Sequence, residues 1–317
     1  MKKSLLVGPR TSRLIDVSEP AMRPGDVLVH VRASGICASE LHGWEHPDEL
    51  PIELGHEVAG EIVDVGIGVT GFRRGDRVTG LFHAGFAQYA ATSADRVTHI
   101  PDGLDLDAAF GEPLACAVSA ARRTKIDLGD RVAIVGLGFM GLLMAQLIRL
   151  KGPSRITGID LRDEARRNGL RLACDEVADP AEIAGTSGFD VVIEATGQPD
   201  GLSLATGLTR EHGVLSILGY HQGGPRSVDM KLWNYRALEV LNAHERRNDY
   251  RMDSMRRGLA LAAAGRINLR DLPTHRFSLD RVDEAFDALA VKPSAFIKSI
   301  IVDTGAAPAR QSIIPDF

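Results

Sequence analysis

RVAIVGLGFMGLLMAQLIRLKG, residues 131–152, determines how the middle of this chain folds. The stretch opens with an apolar, largely β-branched run that is typical of a buried strand. Closely spaced glycines follow, and the remainder is an apolar run long enough for a buried helix. The stretch therefore predicts a strand, a tight glycine turn and a helix in direct succession.

The glycine turn has the form G-x-G-x-x-G and lies between the predicted strand and helix, the context that the motif requires. The first glycine permits the tight turn, the second lets the backbone approach a pyrophosphate, and the third lets the helix pack on the strand. Unpaired N–H groups at the helix N-terminus attract phosphate. We therefore predict a dinucleotide-binding turn formed by Gly136, Leu137, Gly138, Phe139, Met140 and Gly141.

An acidic residue ends the next predicted strand, RITGID, at Asp160. A carboxylate at this place accepts hydrogen bonds from the adenosine ribose hydroxyls and repels a 2′-phosphate. Arg162, two residues further on, softens that preference, so we predict NAD as the cofactor, with NADP less favoured. The alternative interpretation is that the glycines serve packing alone and that Asp160 caps a helix.

Strands and helices continue to alternate after this point. FDVVIEATG and GVLSILG have the composition of buried strands, and LRDEARRNGLRLAC, residues 161–174, that of an amphipathic helix. This alternation predicts a parallel sheet with helices on its faces. Residues 1–100 consist instead of short strands broken by Gly, Pro and Asp, which predicts a β-rich barrel or sandwich. The predicted fold class is α/β with a second, β-rich part.

The C-terminal part is less regular. SMRRGLALAAAG predicts a helix with Gly265 as its C-cap, and RVDEAFDALAV predicts another that begins near Leu279 or Asp280. FIKSIIV predicts a closing strand. The tail, residues 303–317, carries small residues and two prolines, so we expect it to be poorly ordered.

Potential metal ligands lie upstream of the glycine turn. Cys37, the pair His56-Glu57, and Glu112 offer a thiolate, an imidazole and two carboxylates, all of which bind zinc. Taken singly, Cys37 is a small buried residue, His56-Glu57 an exposed polar pair and Glu112 a helix cap. Taken together, they predict a catalytic metal site with three protein ligands and one open position.

These segments resemble one known family. GICASELH, residues 35–42, resembles the G-I-C-G-[ST]-D-x-H signature of zinc-dependent medium-chain alcohol and polyol dehydrogenases. LGHEVAGEIVDVG, residues 54–66, resembles that family's G-H-E zinc signature, and EPLAC, residues 112–116, resembles a segment of its sorbitol and sugar-alcohol branch. VAIVGLGFMG, EATG and FIKSIIV also match, so the resemblance extends from about residue 5 to residue 302.

The resemblance implies a fold of two domains. Residues 1–118 and 244–317 are expected to form a GroES-like catalytic domain. Residues 119–243 are expected to form an inserted Rossmann domain that binds NAD. The active site is then expected in the cleft between the two domains.

The resemblance also assigns the zinc ligands. Cys37 and His56 correspond to two ligands of a single catalytic zinc ion, and Glu57 and Glu112 are the candidates for the third. In the polyol branch, the Glu57 position binds the metal and the Glu112 position holds or exchanges with the bound water. We favour Glu57 and keep Glu112 as the alternative.

The implied reaction is the reversible oxidation of a small secondary alcohol to its ketone. Zinc makes the hydroxyl proton acidic, and the nicotinamide ring accepts the hydride. Ser39 resembles the family's relay hydroxyl beside the substrate oxygen, and His42 resembles the solvent end of that proton relay. Histidine suits this role because, as a residue type, it titrates near neutral pH. Further cofactor contacts are expected from Thr196, Gly219 and Lys298, although Lys298 is also compatible with a solvated lysine at a strand end.

The sequence departs from the family in a few places. Many members have a lobe with four closely spaced cysteines that binds a structural zinc ion, and DRVTGLFHAGFAQYA, residues 76–90, has none. We therefore predict no structural zinc. Ala38 and Glu40 are mild replacements for the usual residues, and Cys116 and Cys174 are interpreted as buried small residues.

The substrate is less well specified than the reaction. EPLAC and the pair of glutamates favour a polyol, sugar or cyclitol, since polar groups near the metal can hold a vicinal hydroxyl. Five side chains lie in segments that can line the pocket. They are Trp44, His46, Phe82, His83 and Tyr220, of which Trp44 and Phe82 are equally compatible with the core.

Composition limits the remaining possibilities. A net charge of −5 without a basic block argues against a nucleic-acid partner, and no apolar run is long enough for a membrane span. Three cysteines do not form a disulfide framework, so we expect a cytoplasmic protein, and family members are commonly homodimers or homotetramers. The alternatives are a zinc-free reductase of enones or quinones on the same fold, and a non-catalytic NAD-binding protein.

Overall fold

A computed structural model describes residues 1–302, and the expectation for the tail, residues 303–317, lies outside them. Among the described residues, no helix has the length and apolar character that crossing a membrane requires. Two large sheets organise this part of the chain, one central and parallel, the other built from the two ends of the described region, and a two-stranded antiparallel sheet lies near the N-terminus.

The N-terminal part is rich in short strands, as predicted, because Gly, Pro and Asp interrupt its apolar runs. Its strands are β1 (Lys2–Gly8), β2 (Thr11–Asp16), β3 (Asp26–Gly35), β4 (Glu57–Val65), β5 (Arg77–Gly80), β6 (Tyr89–Ser93) and β7 (Val97–His99), and its helices are α1 (Leu41–Glu45) and α2 (Gly111–Arg123). Helix α2 begins at Gly111, directly before the EPLAC segment, and was not predicted.

The central part alternates strictly between strands and helices. Its elements are β8 (Arg131–Val135), α3 (Phe139–Arg149), β9 (Arg155–Ile159), α4 (Asp163–Leu172), β10 (Glu176–Ala178), α5 (Pro180–Ile183), β11 (Phe189–Glu194), α6 (Pro199–Leu208), β12 (Thr209–Ile217), α7 (Met230–Tyr235) and β13 (Glu239–Asn242). Within residues 1–302, its six strands form one parallel sheet in the order β10-β9-β8-β11-β12-β13. This confirms the predicted parallel sheet.

The strand order of this sheet reverses between β8 and β11. The carboxyl ends of two such strands border the crevice in which open parallel sheets bind ligands. The glycine turn follows β8 and the EATG segment follows β11, so both lie at this crevice. The edge strands β10 and β13 were missed because they are short and only half-buried, without an apolar run to indicate them.

The C-terminal part returns to the N-terminal sheet. Its elements are α8 (Asn248–Ala263), β14 (His275–Phe277), α9 (Val282–Val291) and β15 (Ser299–Val302). In the described region, the second sheet has the order β14-β15-β3-β4-β5-β7, with β6 also paired to β3. Strand β15 runs antiparallel to β3, which places residue 298 beside the end of β3.

One apolar core joins the two sheets. Helix α2 packs between β4 and β5 on one side and α3 and α8 on the other, and its Leu114 is 1% exposed. Burying a leucine completely stabilises the fold by about 2 kcal/mol. Gly258 of α8 permits this close packing, since a Cβ there would lie 2.4 Å from Leu114 Cγ. The helices α2 and α8 are thereby held in direct contact.

The domain boundaries at residues 118/119 and 243/244 stay a prediction. The parallel sheet itself extends from Arg131 to Asn242, within the predicted Rossmann range. The first boundary falls inside α2, a helix that packs on elements of both parts.

Candidate metal and cofactor site

Three potential metal ligands lie together at the ends of β3 and β4. The thiol of Cys37, the imidazole of His56 and a carboxylate oxygen of Glu57 are all within 4.8 Å of one another. The antiparallel register pairs Gly35 with Glu57, which brings the segment after β3 beside the start of β4. A Cβ at Gly35 would lie 1.9 Å from Glu57 Oε2, so only glycine leaves room for this carboxylate.

Glu40 fixes the ring of His56. Glu40 Oε1 lies 3.1 Å from His56 Nδ1 and also accepts a 2.8 Å hydrogen bond from the Gly55 N–H. Burial lowers the pKa of His56, but hydrogen bonds and charge from Cys37 and Glu40 outweigh it and raise that pKa to about 12. With Nδ1 held by Glu40, Nε2 remains for the site. In the sequence, Glu40 is only a mild replacement for the usual aspartate, and this contact was not predicted.

Glu57 forms a buried ion pair with Lys298. Lys298 Nζ lies 2.7 Å from Glu57 Oε2, donates to the Ile36 carbonyl at 3.0 Å, and lies 4.3 Å from the centre of the Phe139 ring. Because Lys298 is 4% exposed, the interpretation as a solvated strand-end lysine is wrong. The lysine lies between the potential metal ligands and the first residue of α3, beside the glycine turn.

Glu112 lies at the margin of the ligand group. Its Oε2 is 3.9 Å from His56 Nε2, and its Oε1 accepts a 2.6 Å hydrogen bond from Arg251 Nη2. Cys116, one helical turn along α2, donates its thiol to the same Oε1 at 3.4 Å. Burial and the nearby Glu112 charge raise the pKa of Cys116 well above its usual range, so it is a thiol at neutral pH.

Cys116 and Cys174 were both predicted to be buried small residues, and the two predictions have different outcomes. Cys174 is buried beside Gly158 and Gly169, as expected for a small core residue. Cys116 was assigned the same role, but its contact with Glu112 makes it part of the site's surroundings. Its i, i+4 spacing from Glu112 becomes informative only once α2 is known to be a helix.

The residues of the predicted proton relay lie at different depths. Ser39 is half-buried and donates its hydroxyl to Cys37 Sγ at 3.2 Å. His42 is exposed on α1, and its ring centre is 5.3 Å from that of His46. Ser39 therefore lies at the inner end of the segment and His42 at the solvent end.

The glycine turn fits a dinucleotide. Gly136 has φ +99°, a backbone conformation that favours glycine, and a Cβ at Gly141 would lie 1.8 Å from the Gly136 carbonyl oxygen. A Cβ at Gly138 would meet no atom of residues 1–302 within 4 Å. The first and third glycines are thus required by packing, whereas the second leaves open space where a phosphate can approach.

Asp160 is positioned by the glycine turn itself. Its Oδ2 accepts a 2.8 Å hydrogen bond from the Leu137 N–H, and its Oδ1 accepts one of 2.9 Å from the Arg162 N–H. The guanidinium of Arg162 is also close, with Nε 3.6 Å from Asp160 Oδ1. The carboxylate is thereby held at the end of β9, directly beside the turn.

The remaining predicted cofactor contacts surround a buried carboxylate, that of Glu194. Glu194 accepts hydrogen bonds from the backbone of Thr196 at 2.6 Å and lies 3.1 Å from His221 Nε2. A Cβ at Gly219 would lie 2.4 Å from Glu194 Oε2, and one at Gly136 would lie 2.8 Å from Thr196 Cγ2. Thr196 and Gly219 therefore lie at the same crevice as the glycine turn.

Two of the proposed pocket-lining residues belong to the core instead. Trp44 is completely buried, stacks on Phe286 and donates its indole N–H to Asp283 at 2.8 Å. Phe82 is 2% exposed, within the apolar cluster of the N-terminal sheet. His46, His83 and Tyr220 are exposed.

Two family models match the chain and together cover more than half of it. Residues 23–102 match the alcohol dehydrogenase GroES-like domain, and residues 140–257 match the zinc-binding dehydrogenase domain. The first match covers β3 to β7 of the N-terminal sheet, and the second runs from α3 through the rest of the parallel sheet into α8.

Relatives of known name span nearly the same length. The chain is 28% identical to the sorbitol dehydrogenase of Halalkalibacterium halodurans, over 86% of this chain and 90% of that protein. It is 27% identical to the (R,R)-butanediol dehydrogenase of Bacillus subtilis, over 95% of this chain and 99% of that protein.

A solved structure shares the whole architecture. It is a protein from Sinorhizobium meliloti assigned to the zinc-binding dehydrogenases, crystallised with NADP, with a TM-score of 0.83 and 27% identity. The match covers 95% of this chain and 99% of that chain. With its GroES-like and Rossmann-type parts and its group of thiol, imidazole and carboxylate, this chain belongs to the zinc-dependent medium-chain dehydrogenases, in the part of the family that resembles sorbitol dehydrogenase.

Proposed function

We propose that the chain interconverts a secondary alcohol of a polyol, sugar or cyclitol and the corresponding ketone, with one catalytic zinc ion and NAD. The observation that carries the proposal is the group Cys37, His56 and Glu57 within 4.8 Å. Lys298 links this group to Phe139 at the glycine turn, so metal and dinucleotide would be neighbours.

Cys37, His56 and Glu57 would hold the zinc ion. Thiolate, imidazole and carboxylate are zinc ligands, and three of them leave the open position that a catalytic site needs. Glu57 is favoured over Glu112 as the third ligand, because Glu57 lies within the compact group and Glu112 lies outside it. We propose no structural zinc ion.

The chain's own groups would move the proton and hold the substrate. When bound, zinc supplies positive charge that lowers the pKa of a neighbouring hydroxyl, and NAD supplies the hydride acceptor. Ser39, at the inner end of its segment, would accept the hydroxyl proton as it gives up its own toward His42, and the exposed His42 would release a proton to water. Glu112 Oε2 would accept a hydrogen bond from a second, vicinal hydroxyl.

NAD is the proposed cofactor because Asp160, held beside the glycine turn, would meet the adenosine ribose of a bound dinucleotide. Its charge would repel a 2′-phosphate, whereas its oxygens can accept hydrogen bonds from ribose hydroxyls. The relative from Sinorhizobium meliloti was crystallised with NADP, and Arg162 beside Asp160 is the residue through which this chain would accept NADP as a second choice.

The polyol assignment is supported by the relatives and by the polar surroundings of the metal site. The names sorbitol dehydrogenase and butanediol dehydrogenase both denote enzymes acting on compounds with more than one hydroxyl. A cytoplasmic homodimer or homotetramer is proposed on the resemblance to the family. The zinc-free reductase of enones or quinones is not favoured, since it has no need of the three ligands.

Metal analysis and a turnover screen test the proposal. Purified protein is expected to contain about one zinc per chain and to reduce NAD with polyols, sugars or cyclitols. An active, folded protein without zinc would favour the reductase, and enone or quinone panels would identify it. Absence of turnover with every alcohol and ketone would favour a binding protein.

A further inference from the structure

Arg251 connects a distant helix to the margin of the metal site. It lies on α8, and its Nη2 is 2.6 Å from Glu112 Oε1 on α2. The two side chains are only 17% and 12% exposed. The close packing of α8 on α2 fixes both backbones, so the pair joins two rigid elements.

The two oxygens of Glu112 consequently have different surroundings. Arg251 and Cys116 both donate to Oε1, whereas Oε2 faces His56 Nε2 at 3.9 Å. Moving Oε2 further into the ligand group would pull Oε1 away from Arg251 and weaken a charge-assisted hydrogen bond in a poorly solvated place, which is costly. The ion pair of Glu57 has a different effect, because pairing with Lys298 leaves the Glu57 carboxylate inside the ligand group.

We propose that Arg251 is a positioning residue that keeps Glu112 out of the metal's coordination sphere. The fourth position then stays open for a substrate oxygen, and Glu112 Oε2 stays available to a substrate hydroxyl. The inference rests on the proposed metal centre. Arg251 acts through Glu112 and contacts neither metal nor substrate.

Cobalt(II) is the probe, because its visible absorption reports the number and type of its ligands. Metal-stripped wild type and variants Arg251→Met, Arg251→Lys and Glu112→Gln are titrated with Co²⁺. In Arg251→Met, the released Glu112 is expected to bind the metal, which changes the spectrum and tightens Co²⁺ binding by about tenfold, the scale of outer-shell changes at metal sites. Arg251→Lys, which retains the charge, is expected to keep the wild-type spectrum.

Glu112→Gln tests the same point without disturbing α8. If Glu112 is no ligand in the wild type, this variant keeps the wild-type cobalt spectrum, and Arg251→Met/Glu112→Gln regains it. A wild-type spectrum in Arg251→Met, or an altered one in Glu112→Gln, would overturn the inference alone. Failure of the wild type to bind about one Co²⁺ per chain would instead overturn the proposed metal centre, and the inference with it.

Discussion

Lys298 Nζ lies 2.7 Å from Glu57 Oε2, and neither side chain is more than 5% exposed. A lysine and a glutamate so deeply buried are stable only as a pair, because each charge alone would remain unsolvated. The pair joins the last described strand to the start of β4, so it links stability directly to the proposed metal site.

Lys298→Met is expected to destabilise the metal-stripped protein by about 3–5 kcal/mol, since it leaves the Glu57 carboxylate buried without a counter-charge. Urea denaturation measures the change. The double variant Lys298→Met/Glu57→Gln is expected to recover most of the loss. A single variant as stable as the wild type would contradict the ion pair.

Cys37→Ser is expected to lose zinc and activity while NAD binding is retained, because Cys37 lies in the ligand group and is no part of the glycine turn. Elemental analysis and a fluorescence titration with NADH measure the two effects. Cys174→Ala is the matched control, since that thiol is buried beside α4 and should keep its zinc. Unchanged turnover in Cys37→Ser would refute the ligand assignment.

Gly138→Ala and Gly141→Ala separate the two roles of the glycine turn. A methyl group at Gly138 meets no atom of the described part of the chain within 4 Å, so we expect weaker NADH binding at unchanged thermal stability. A methyl group at Gly141 collides with the Gly136 carbonyl oxygen, so we expect a loss of stability as well. Equal melting temperatures for the two variants would argue against this division.

Asp160→Gly is expected to lower the ratio of kcat/KM for NAD over NADP, because the repulsion of the 2′-phosphate is lost. The variant also loses the hydrogen bond to the Leu137 N–H, so a stability loss of about 1 kcal/mol accompanies it. Asp160→Asn controls for charge, since its amide oxygen can still accept that bond. A wild type that prefers NADP would show the cofactor assignment to be wrong.

Local sequence patterns were sufficient for the parallel sheet, for the glycine turn and for the segment that carries Cys37. In each case the chemistry depends on residues close together in the chain. The position of Trp44 could not be predicted, because burial against Phe286 depends on a helix more than two hundred residues away. The same reason applies to Arg251 and Glu112, whose contact exists only once α8 packs on α2.

The two edge strands of the central sheet, β10 and β13, were not predicted for a different reason. An edge strand such as β13 is paired on one side only, so fewer of its side chains need to be apolar. Helix α2 was missed because its sequence, GEPLACAVSAARR, consists largely of small residues. It therefore lacks the regularly spaced large apolar residues by which an amphipathic helix is recognised.

The pairing of β15 with β3 has a consequence for the order in which the protein matures on the ribosome. The parallel sheet is complete by Asn242, so it can fold while the remainder of the chain is still being synthesised. A nascent chain that has not reached β15 already contains Cys37, His56 and Glu57, but it lacks Lys298, the cation that pairs with the Glu57 carboxylate. The surroundings of the proposed metal ligands are therefore completed only after synthesis has passed Lys298, later than the parallel sheet.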